Sequence, residues 1–185
     1  MRRNTLILIL LCGLSGCGWA ADRPDTARKK LEQVTEIQGY SCAKDYAWFY
    51  ADGRLERCFA SKNTQFGEVQ IPSGSIIVLR PDGTPKFAML AHDSWLLGYH
   101  CRGGGPLGPA EGATTGFYPS GRLQLCWLAA DQEIQGVPCA DAGGFFFAIF
   151  HHGGWGTSFY ENGKLHKCYL SRDFDGLMEG QEIVR

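Results

Sequence analysis

The sequence lacks the features that mark a membrane-spanning or a nucleic-acid-binding chain. Its apolar segment Thr5–Leu14 is too short to cross a bilayer as a helix, which takes about 20 residues. Neither sign of charge is in excess, because the chain has 18 basic and 19 acidic residues and a net charge of −1. Without Arg2 and Arg3 the basic residues fall from 18 to 16 and the net charge becomes −3. We therefore expect no nucleic-acid partner.

Short motifs that carry catalytic chemistry are missing too. There is no Cys-x-x-Cys pair, no Gly-x-Ser-x-Gly turn, and no Lys-Ser/Thr ending to the Gly/Pro-rich insertion at 102–116. Their absence argues against a zinc or redox site, a hydrolase nucleophile and a phosphate-binding loop. We expect no catalytic residues, no metal and no cofactor. The paired carboxylates Asp131 and Glu133 leave acid–base chemistry open as an alternative.

Two short segments contain part of a metal-binding pattern without completing it. His151 and His152 are adjacent, so in a strand they would point to opposite faces. The two glycines that follow them predict a turn in a solvated loop. Asp173–Gly176 has the start of a calcium loop but not the closing glutamate. We expect turns at both places and a metal at neither.

The N-terminus has the order of a secretory signal: Arg2 and Arg3, the apolar segment, then small residues. The segment 14–17, Leu-Ser-Gly-Cys, resembles the bacterial lipobox, whose cysteine is lipidated and becomes the new N-terminus. The resemblance implies a signal peptide at 1–16 and a lipid anchor at Cys17. Gly18 in place of aspartate resembles the pattern for sorting to the outer membrane. The alternative is a small-x-small site at 18–20, which would release a soluble periplasmic or secreted protein.

Residues 17–33 are mostly polar and charged. We interpret them as a lipid-anchored tether that has room for a short helix from Thr26 to Val34. The Arg28-Lys29-Lys30 cluster could contact anionic headgroups. A solvated linker is the simpler interpretation of the same residues.

Residues 34–185 contain an internal repeat with a period of about 30–40 residues. The recurring core is FYADGRL (49–55), LRPDGT (79–84), FYPSGRL (117–123) and FYENGKL (159–165). A second segment precedes three of these cores: IQGYSC (37–42), LLGYHC (96–101) and IQGVPC (134–139). The pattern predicts four copies and a truncated fifth at 172–185, with insertions at 102–116 and 140–156.

Each core predicts a β-hairpin, since aromatic and β-branched residues flank a glycine-containing turn. Pro81 and Pro119 cannot take the positive φ that a type I′ turn needs. We therefore expect a type I turn followed by a left-handed glycine in a β-bulge. The glycines at this position are Gly53, Gly83, Gly121 and Gly163.

The strand after the turn alternates in polarity. Simple alternation would place Leu123, Leu125 and Trp127 on one face. It would place Cys126 and Leu128 on the other. Aromatic residues recur six positions after three of the turn glycines, so stacked units would bring their rings together in a ladder.

The ladder and the apolar stretch 145–150 share two interpretations. Structural core is the simpler one, and an exposed face for a partner is the alternative, because large exposed apolar patches usually mark contacts. The candidate partner-face residues are Phe59, Trp127, Tyr169, Phe145, Phe147 and Trp155.

These motifs resemble MORN-variant repeats, which are short β-hairpin units of many bacterial proteins. They also resemble bacterial envelope proteins with repeated G-V-P-C and F-x-x-x-G-R-L-x-x-C-x-L segments. The resemblance spans roughly residues 36–171 and is clearest at Tyr160–Leu165. It implies an all-β meander of stacked hairpins and a scaffold or binding role, with no catalytic residues.

Cysteine usage favours disulfides. Apart from Cys12 and Cys17, six cysteines remain, an even number in an exported chain. The second repeat unit lacks both repeat cysteines, and Ala88 replaces one of them. This paired absence favours bonds within units, each stabilising by about 3 kcal/mol: Cys42–Cys58, Cys101–Cys126 and Cys139–Cys168. A cross-unit Cys126–Cys139 bond is the alternative.

Taken together, these patterns predict an exported, lipid-anchored repeat protein that is not an enzyme. It would bind a protein or an envelope polymer, with the membrane as a further partner through its anchor. A periplasmic inhibitor of the immunity type and an envelope enzyme are the alternatives.

Overall fold

The computed structural model describes residues 26–104, 114–143 and 156–185. This part of the chain contains eighteen β-strands and no helix. In chain order the strands are β1 (Thr26–Lys30), β2 (Thr35–Ile37), β3 (Tyr40–Cys42), β4 (Tyr46–Tyr50), β5 (Leu55–Phe59), β6 (Thr64–Phe66), β7 (Val69–Ile71), β8 (Ile76–Leu79), β9 (Pro85–Met89), β10 (Ser94–Leu96), β11 (Tyr99–Cys101), β12 (Thr114–Phe117), β13 (Leu123–Trp127), β14 (Gln132–Ile134), β15 (Val137–Cys139), β16 (Gly156–Phe159), β17 (Leu165–Tyr169) and β18 (Glu182–Val184).

Ten strands form one antiparallel sheet, here called the main sheet, in the order β1-β4-β5-β8-β9-β12-β13-β16-β17-β18. The other eight strands form four small hairpins: β2–β3, β6–β7, β10–β11 and β14–β15. Spatial order follows chain order across the main sheet, so the sheet is a meander. The predicted all-β meander of hairpins is confirmed.

Small hairpins alternate with the main-sheet hairpins β4–β5, β8–β9, β12–β13 and β16–β17. After β17, a bridge between Phe174 and Leu177 closes a fifth small turn before β18. Asp175 and Gly176 lie at positive φ in that turn. The truncated fifth unit is therefore present, and the turn predicted at Asp173–Gly176 is confirmed.

The four main-hairpin turns share one geometry. In the first, the Gly53 N–H donates to the Tyr50 carbonyl (2.9 Å), and the Tyr50 N–H donates to the Arg54 carbonyl (2.8 Å). The turn glycines have φ between 81 and 86°, and each hairpin has a register shift beside its turn. The predicted type I turn with a left-handed glycine and a bulge is confirmed.

The bulge overturns the simple alternation expected of the returning strand. Phe117 pairs with Leu123, but its neighbour Gly116 pairs with Leu125, so Gln124 is an extra residue. One extra residue reverses the order of the side chains. Leu123 therefore joins Cys126 in the core, and its expected placement with Leu125 was wrong.

Three small hairpins close with type I′ turns, which need two successive residues at positive φ. Gln38, Leu97 and Gln135 have φ of 53, 52 and 51°, and a left-handed glycine follows each. These turns lie in the repeated segments IQGYSC, LLGYHC and IQGVPC of the sequence. The second small hairpin instead places Gly67 first, with φ of 62°.

The three disulfides predicted within units are confirmed, as Cys42–Cys58, Cys101–Cys126 and Cys139–Cys168. Each joins the second strand of a small hairpin to the second strand of a main hairpin. All six cysteines are buried. Three buried disulfides place the protein in an oxidising, extracytoplasmic compartment. No helix within the described ranges is long and apolar enough to cross a membrane.

The core lies between the main sheet and the small hairpins. Phe66 of a small hairpin packs edge-on against Phe117 of the main sheet, with ring centres 5.1 Å apart. Tyr99 of another small hairpin stacks face to face on Phe159 of the main sheet, with ring centres 4.5 Å apart. The side of the main sheet that faces the small hairpins is called the inner face below, and the opposite side is called the outer face.

The short helix considered at Thr26–Val34 is wrong, because Thr26–Lys30 is the edge strand β1. Five residue pairs join β1 to β4, from Thr26↔Tyr50 to Lys30↔Tyr46. Leu31 follows as a buried residue whose N–H donates to the Asp45 carbonyl. Pairing with a neighbouring strand outweighs local helix propensity here. Strand β1 thus lies inside the segment interpreted as a tether.

Candidate binding surface

The outer face of the main sheet presents a continuous row of side chains. Strand pairing links one residue from each of the ten strands. In order they are Arg28, Trp48, Arg57, Val78, Phe87, Gly116, Leu125, Ser158, Lys167 and Val184. Every small hairpin of the described chain contributes to the core on the inner face. The row therefore lies on the side of the sheet that the hairpins do not cover.

Three of the predicted partner-face residues, Phe59, Trp127 and Tyr169, lie on this outer face, two residues along their strands from the row. They do not form the direct ladder that was expected. Phe59 pairs with Ile76, which pairs with Met89, while Trp127 pairs with Gly156. Three strands separate Phe59 from Trp127, because each main hairpin contributes two strands and only the second carries the ring. Phe145, Phe147 and Trp155 lie outside the described residues, as do Cys17 and the His151-His152 pair.

The middle of the outer face is apolar. Ile76, Val78 and Met89 are 8, 3 and 6% exposed, and the partly buried rings of Phe59 and Phe87 pack against them. These five residues are called the apolar strip. Leu125 and Trp127 continue the apolar surface on β13 and are partly exposed. The aliphatic side chains of the strip are buried, and its aromatic rings, Phe59 and Phe87, remain partly exposed.

The N-terminal end of the outer face combines cations with aromatic rings. The Arg28 guanidinium lies 3.5 Å from the Tyr46 ring centre and 5.6 Å from that of Trp48. The Arg57 guanidinium lies 4.2 Å from the Trp48 ring centre. These distances are within the range of cation–π attraction. Arg28, Tyr46, Trp48 and Arg57 are called the basic–aromatic corner.

The C-terminal end of the same face carries an ion pair, in which Glu182 balances the charge of Lys167. Lys167 Nζ lies 2.9 Å from Glu182 Oε2. The hydrogen bond from Lys167 lowers the pKa of Glu182, and the same bond raises the pKa of Lys167. The pKa of Tyr169 is raised, first by burial and then by its hydrogen bond to Glu182.

An open cleft of about 620 Å³ lies between the third main hairpin and the C-terminal turn, lined in part by Asp131, Asp141 and Glu179. Asp131 Oδ1 accepts the Asp141 N–H, and the Glu179 N–H donates to Asp173. Glu133, the other carboxylate considered, pairs with Arg172 at the surface, 3.6 Å away. Within the described ranges, no three histidine, cysteine, aspartate or glutamate side chains are grouped as a metal would need.

Several structural contacts escaped the sequence analysis although their residues recur. The Gln38 and Gln135 side chains accept the N–H groups of Leu55 and Leu165, at 3.1 and 3.0 Å. Glu68 accepts the Leu123 N–H at 3.0 Å. Each contact ties a small-hairpin turn to the residue that begins the second strand of a main hairpin. The recurring Gln-Gly pair was a signal for it.

A second set of contacts links successive main hairpins. The Tyr50 hydroxyl donates to the Leu79 carbonyl (2.7 Å), and the Tyr118 hydroxyl donates to the Phe159 carbonyl (2.9 Å). Arg80 takes the same role toward the Phe117 carbonyl, at 2.6 Å. Tyr50, Arg80 and Tyr118 thus join the first three main hairpins each to the next.

Comparison of the chain with protein-family models, with curated proteins and with solved structures finds no match in any of the three.

Proposed function

We propose that this is a lipid-anchored repeat protein of the cell envelope that is not an enzyme and binds a protein or an envelope polymer on its outer sheet face. The observation that carries the proposal is the difference between the two faces of the main sheet. The inner face is covered by the small hairpins and cross-linked by three disulfides. The outer face carries the apolar strip and the partly exposed Leu125 and Trp127.

The cross-linked inner layer makes the outer face a rigid platform. Three kinds of contact fix the small hairpins to the main sheet. They are the disulfides, the buried aromatic pairs, and the hydrogen bonds that the side chains of Gln38, Glu68 and Gln135 accept from main-sheet N–H groups. Rigid surfaces lose little conformational freedom on binding, so less of the interaction energy is offset by ordering. Partly exposed aromatic residues on such a surface are typical anchor points for partners.

Anchoring through Cys17 is supported by the sequence order of signal and lipobox and by the oxidised state of the folded part. The main sheet starts at Thr26, so only a short segment joins the proposed anchor to β1. Nine residues of chain can span at most about 30 Å. The proposed lipid anchor would therefore keep the N-terminal edge of the sheet close to the membrane surface.

Photo-crosslinking in intact cells tests the choice of face. A photoreactive amino acid replaces Leu125 in one variant and Gln124 in its control, because these neighbours on β13 are partly buried and exposed respectively. We expect an adduct with an envelope protein or polymer from position 125 and a much weaker one from position 124. A third variant, at exposed Glu133 of a small hairpin, reports on the inner layer. Adducts from 133 or 124 without one from 125 would contradict the proposal.

A further inference from the structure

We propose that the basic–aromatic corner binds phosphate groups of anionic lipid headgroups, so that the membrane surface is itself a ligand of the folded domain. The inference rests on the proposed envelope location, which brings such headgroups within reach. It goes beyond lipid anchoring, because it assigns membrane recognition to Arg28, Tyr46, Trp48 and Arg57 of the sheet.

The two guanidinium groups differ in their access to an anion. Arg28 is exposed, so the N–H edges of its guanidinium face solvent beside the Tyr46 ring. Arg57 is partly exposed and its Nε is buried without a hydrogen-bond partner, which leaves only its terminal N–H groups to meet an anion. These N–H groups form the planar fork that matches phosphate oxygens. Within the described ranges, no carboxylate lies in ion-pair distance of Arg28 or Arg57. The nearby Lys30 contacts Glu32 at 3.8 Å, and both of those side chains are largely exposed.

The corner places like charges together without compensation. Strand pairing puts Arg28 and Arg57 on either side of Trp48, and exposed Lys29 and Lys30 extend the positive charge along β1. Strand β4 lies between the strands of the two arginines, so their Cα atoms are about 10 Å apart across the sheet. The opposite end of the same row shows the usual remedy, since Lys167 is paired with Glu182. An anion bound at the corner would balance the charge of the arginines, as Glu182 balances the charge of Lys167.

Comparison among the repeat units shows that the corner is not required by the fold. The pair Trp48↔Arg57 corresponds to Val78↔Phe87, Gly116↔Leu125 and Ser158↔Lys167 in the other main hairpins. Tyr46 corresponds by position to Ile76, Thr114 and Gly156. The sheet therefore forms without arginine at the position of Arg57 and without an aromatic residue at the positions of Tyr46 and Trp48. Their concentration in the unit next to the N-terminus indicates a task specific to that end.

The exposure and composition of the corner favour a headgroup layer over a free anion. Arg28 is exposed, and Tyr46, Trp48 and Arg57 are partly exposed, so the corner is an open surface. Tyrosine and tryptophan prefer the membrane–water interface, where their rings meet apolar chains and their polar atoms meet headgroups. Basic residues near an anionic leaflet each add about a fivefold gain in binding.

Vesicle partitioning tests the inference with the full chain carrying Cys17→Ser, so that its outcome does not depend on lipidation. Binding is compared between vesicles of phosphatidylcholine alone and vesicles with one-third phosphatidylglycerol. The apolar segment and Arg2 and Arg3 are common to all variants, so differences between variants report on the folded part. We expect R28Q/R57Q to reduce the preference for phosphatidylglycerol by about twentyfold and W48L to reduce it less.

The matched control is K164Q/R172Q, which removes two exposed cations far from the corner. We expect this control to keep the preference to within about twofold of the unsubstituted chain, since exposed charges more than a Debye length away are screened. An equal loss in both double variants would overturn the inference, because it would show a net-charge effect only. Inorganic phosphate and glycerol phosphate at millimolar concentration form the last arm. Saturable binding of these ions without vesicle binding would also overturn it, in favour of a free-anion site. Circular dichroism and thiol counts establish that each variant is folded.

Discussion

The side-chain oxygen of Gln135 accepts a hydrogen bond from the backbone N–H of Leu165, 3.0 Å away and 30 residues along the chain. Gln135 occupies the first position of a type I′ turn in a small hairpin, and Leu165 begins the second strand of a main hairpin. Gln38 and Leu55 repeat the contact in the first unit. The contact therefore recurs in the first and fourth units, where it fixes the small hairpin to the main sheet.

Replacing Gln135 with alanine should lower the free energy of unfolding by about 1–2 kcal/mol, because the partly buried Leu165 N–H would lose its acceptor. Urea denaturation with the disulfides intact measures this change. The matched control is Leu97→Ala, which truncates a side chain at nearly the same φ, 52° against 51°, where no such acceptor exists. We expect that control to change stability by less than about 0.5 kcal/mol. An equal loss of unfolding free energy in the two variants would show that the hydrogen bond between Leu165 and Gln135 contributes nothing.

Replacing Tyr118 with phenylalanine should cost about 1 kcal/mol, because its hydroxyl donates to the Phe159 carbonyl of the next unit. Tyr160→Phe is the matched control, since Tyr160 has the same repeat position and packs its ring against His166. Thermal unfolding of both variants should show a clear decrease for Y118F and a smaller one for Y160F. The reverse order would contradict the role given to the repeated tyrosine.

Replacing a turn glycine should cost more at Gly121 than at Gly163. Both have similar positive φ, 84 and 81°, so an alanine meets the same backbone strain, about 1–2 kcal/mol. A Cβ at Gly163 would meet nothing within 4 Å, whereas one at Gly121 would lie 2.8 Å from the Cα of Gly67. We expect G121A to be the less stable by at least about 1 kcal/mol, measured by urea unfolding. Equal stability would mean that the Gly67–Gly121 approach is not tight in solution.

Acid should weaken the C-terminal end of the sheet. The pKa of Glu182 is lowered from its ordinary 4.5 by the hydrogen bond from Lys167. A lowered carboxyl pKa contributes stability that is present above the unfolded-state value and is lost as pH falls through the folded-state value. Glu182→Gln should therefore remove part of the stability loss below about pH 4.5, and Glu161→Gln should not. The contribution of the Lys167–Glu182 pair to the free energy of unfolding stays below about 1 kcal/mol, because both side chains are about one-third exposed. Identical acid unfolding curves for all three proteins would contradict the assignment.

The sequence predicts those parts of the fold that depend on local chemistry. Glycine spacing and the prolines at 81 and 119 were sufficient for the type I turn with a bulge, and the paired absence of cysteines from one unit was sufficient for the disulfide pattern. The side of the sheet reached by Leu123 could not be predicted by alternation, because the extra residue at the bulge reverses it. Strand β1 was missed because its partner, β4, lies far along the chain and no local pattern marks the pairing.

The candidate surface was predicted only in part. Phe59, Trp127 and Tyr169 do reach the outer face, but their separation depends on the number of intervening strands, which periodicity does not give. The contacts of Arg28 and Arg57 with Trp48 join residues of three strands and follow only from the register of the sheet. Placing the arginines on the rings therefore required the structure.

The intact mass of the protein purified from membranes, before and after reduction, tests the account most directly. An anchored and cross-linked protein should begin at Cys17, carry the mass of acyl chains, and gain about six hydrogens on reduction of its three disulfides. A Cys17→Ser variant should lose the lipid mass and keep the gain on reduction. A chain that instead begins at Ala21 without lipid would contradict the anchor and favour a diffusible inhibitor. A chain that gains no mass on reduction would contradict the cross-linked fold itself.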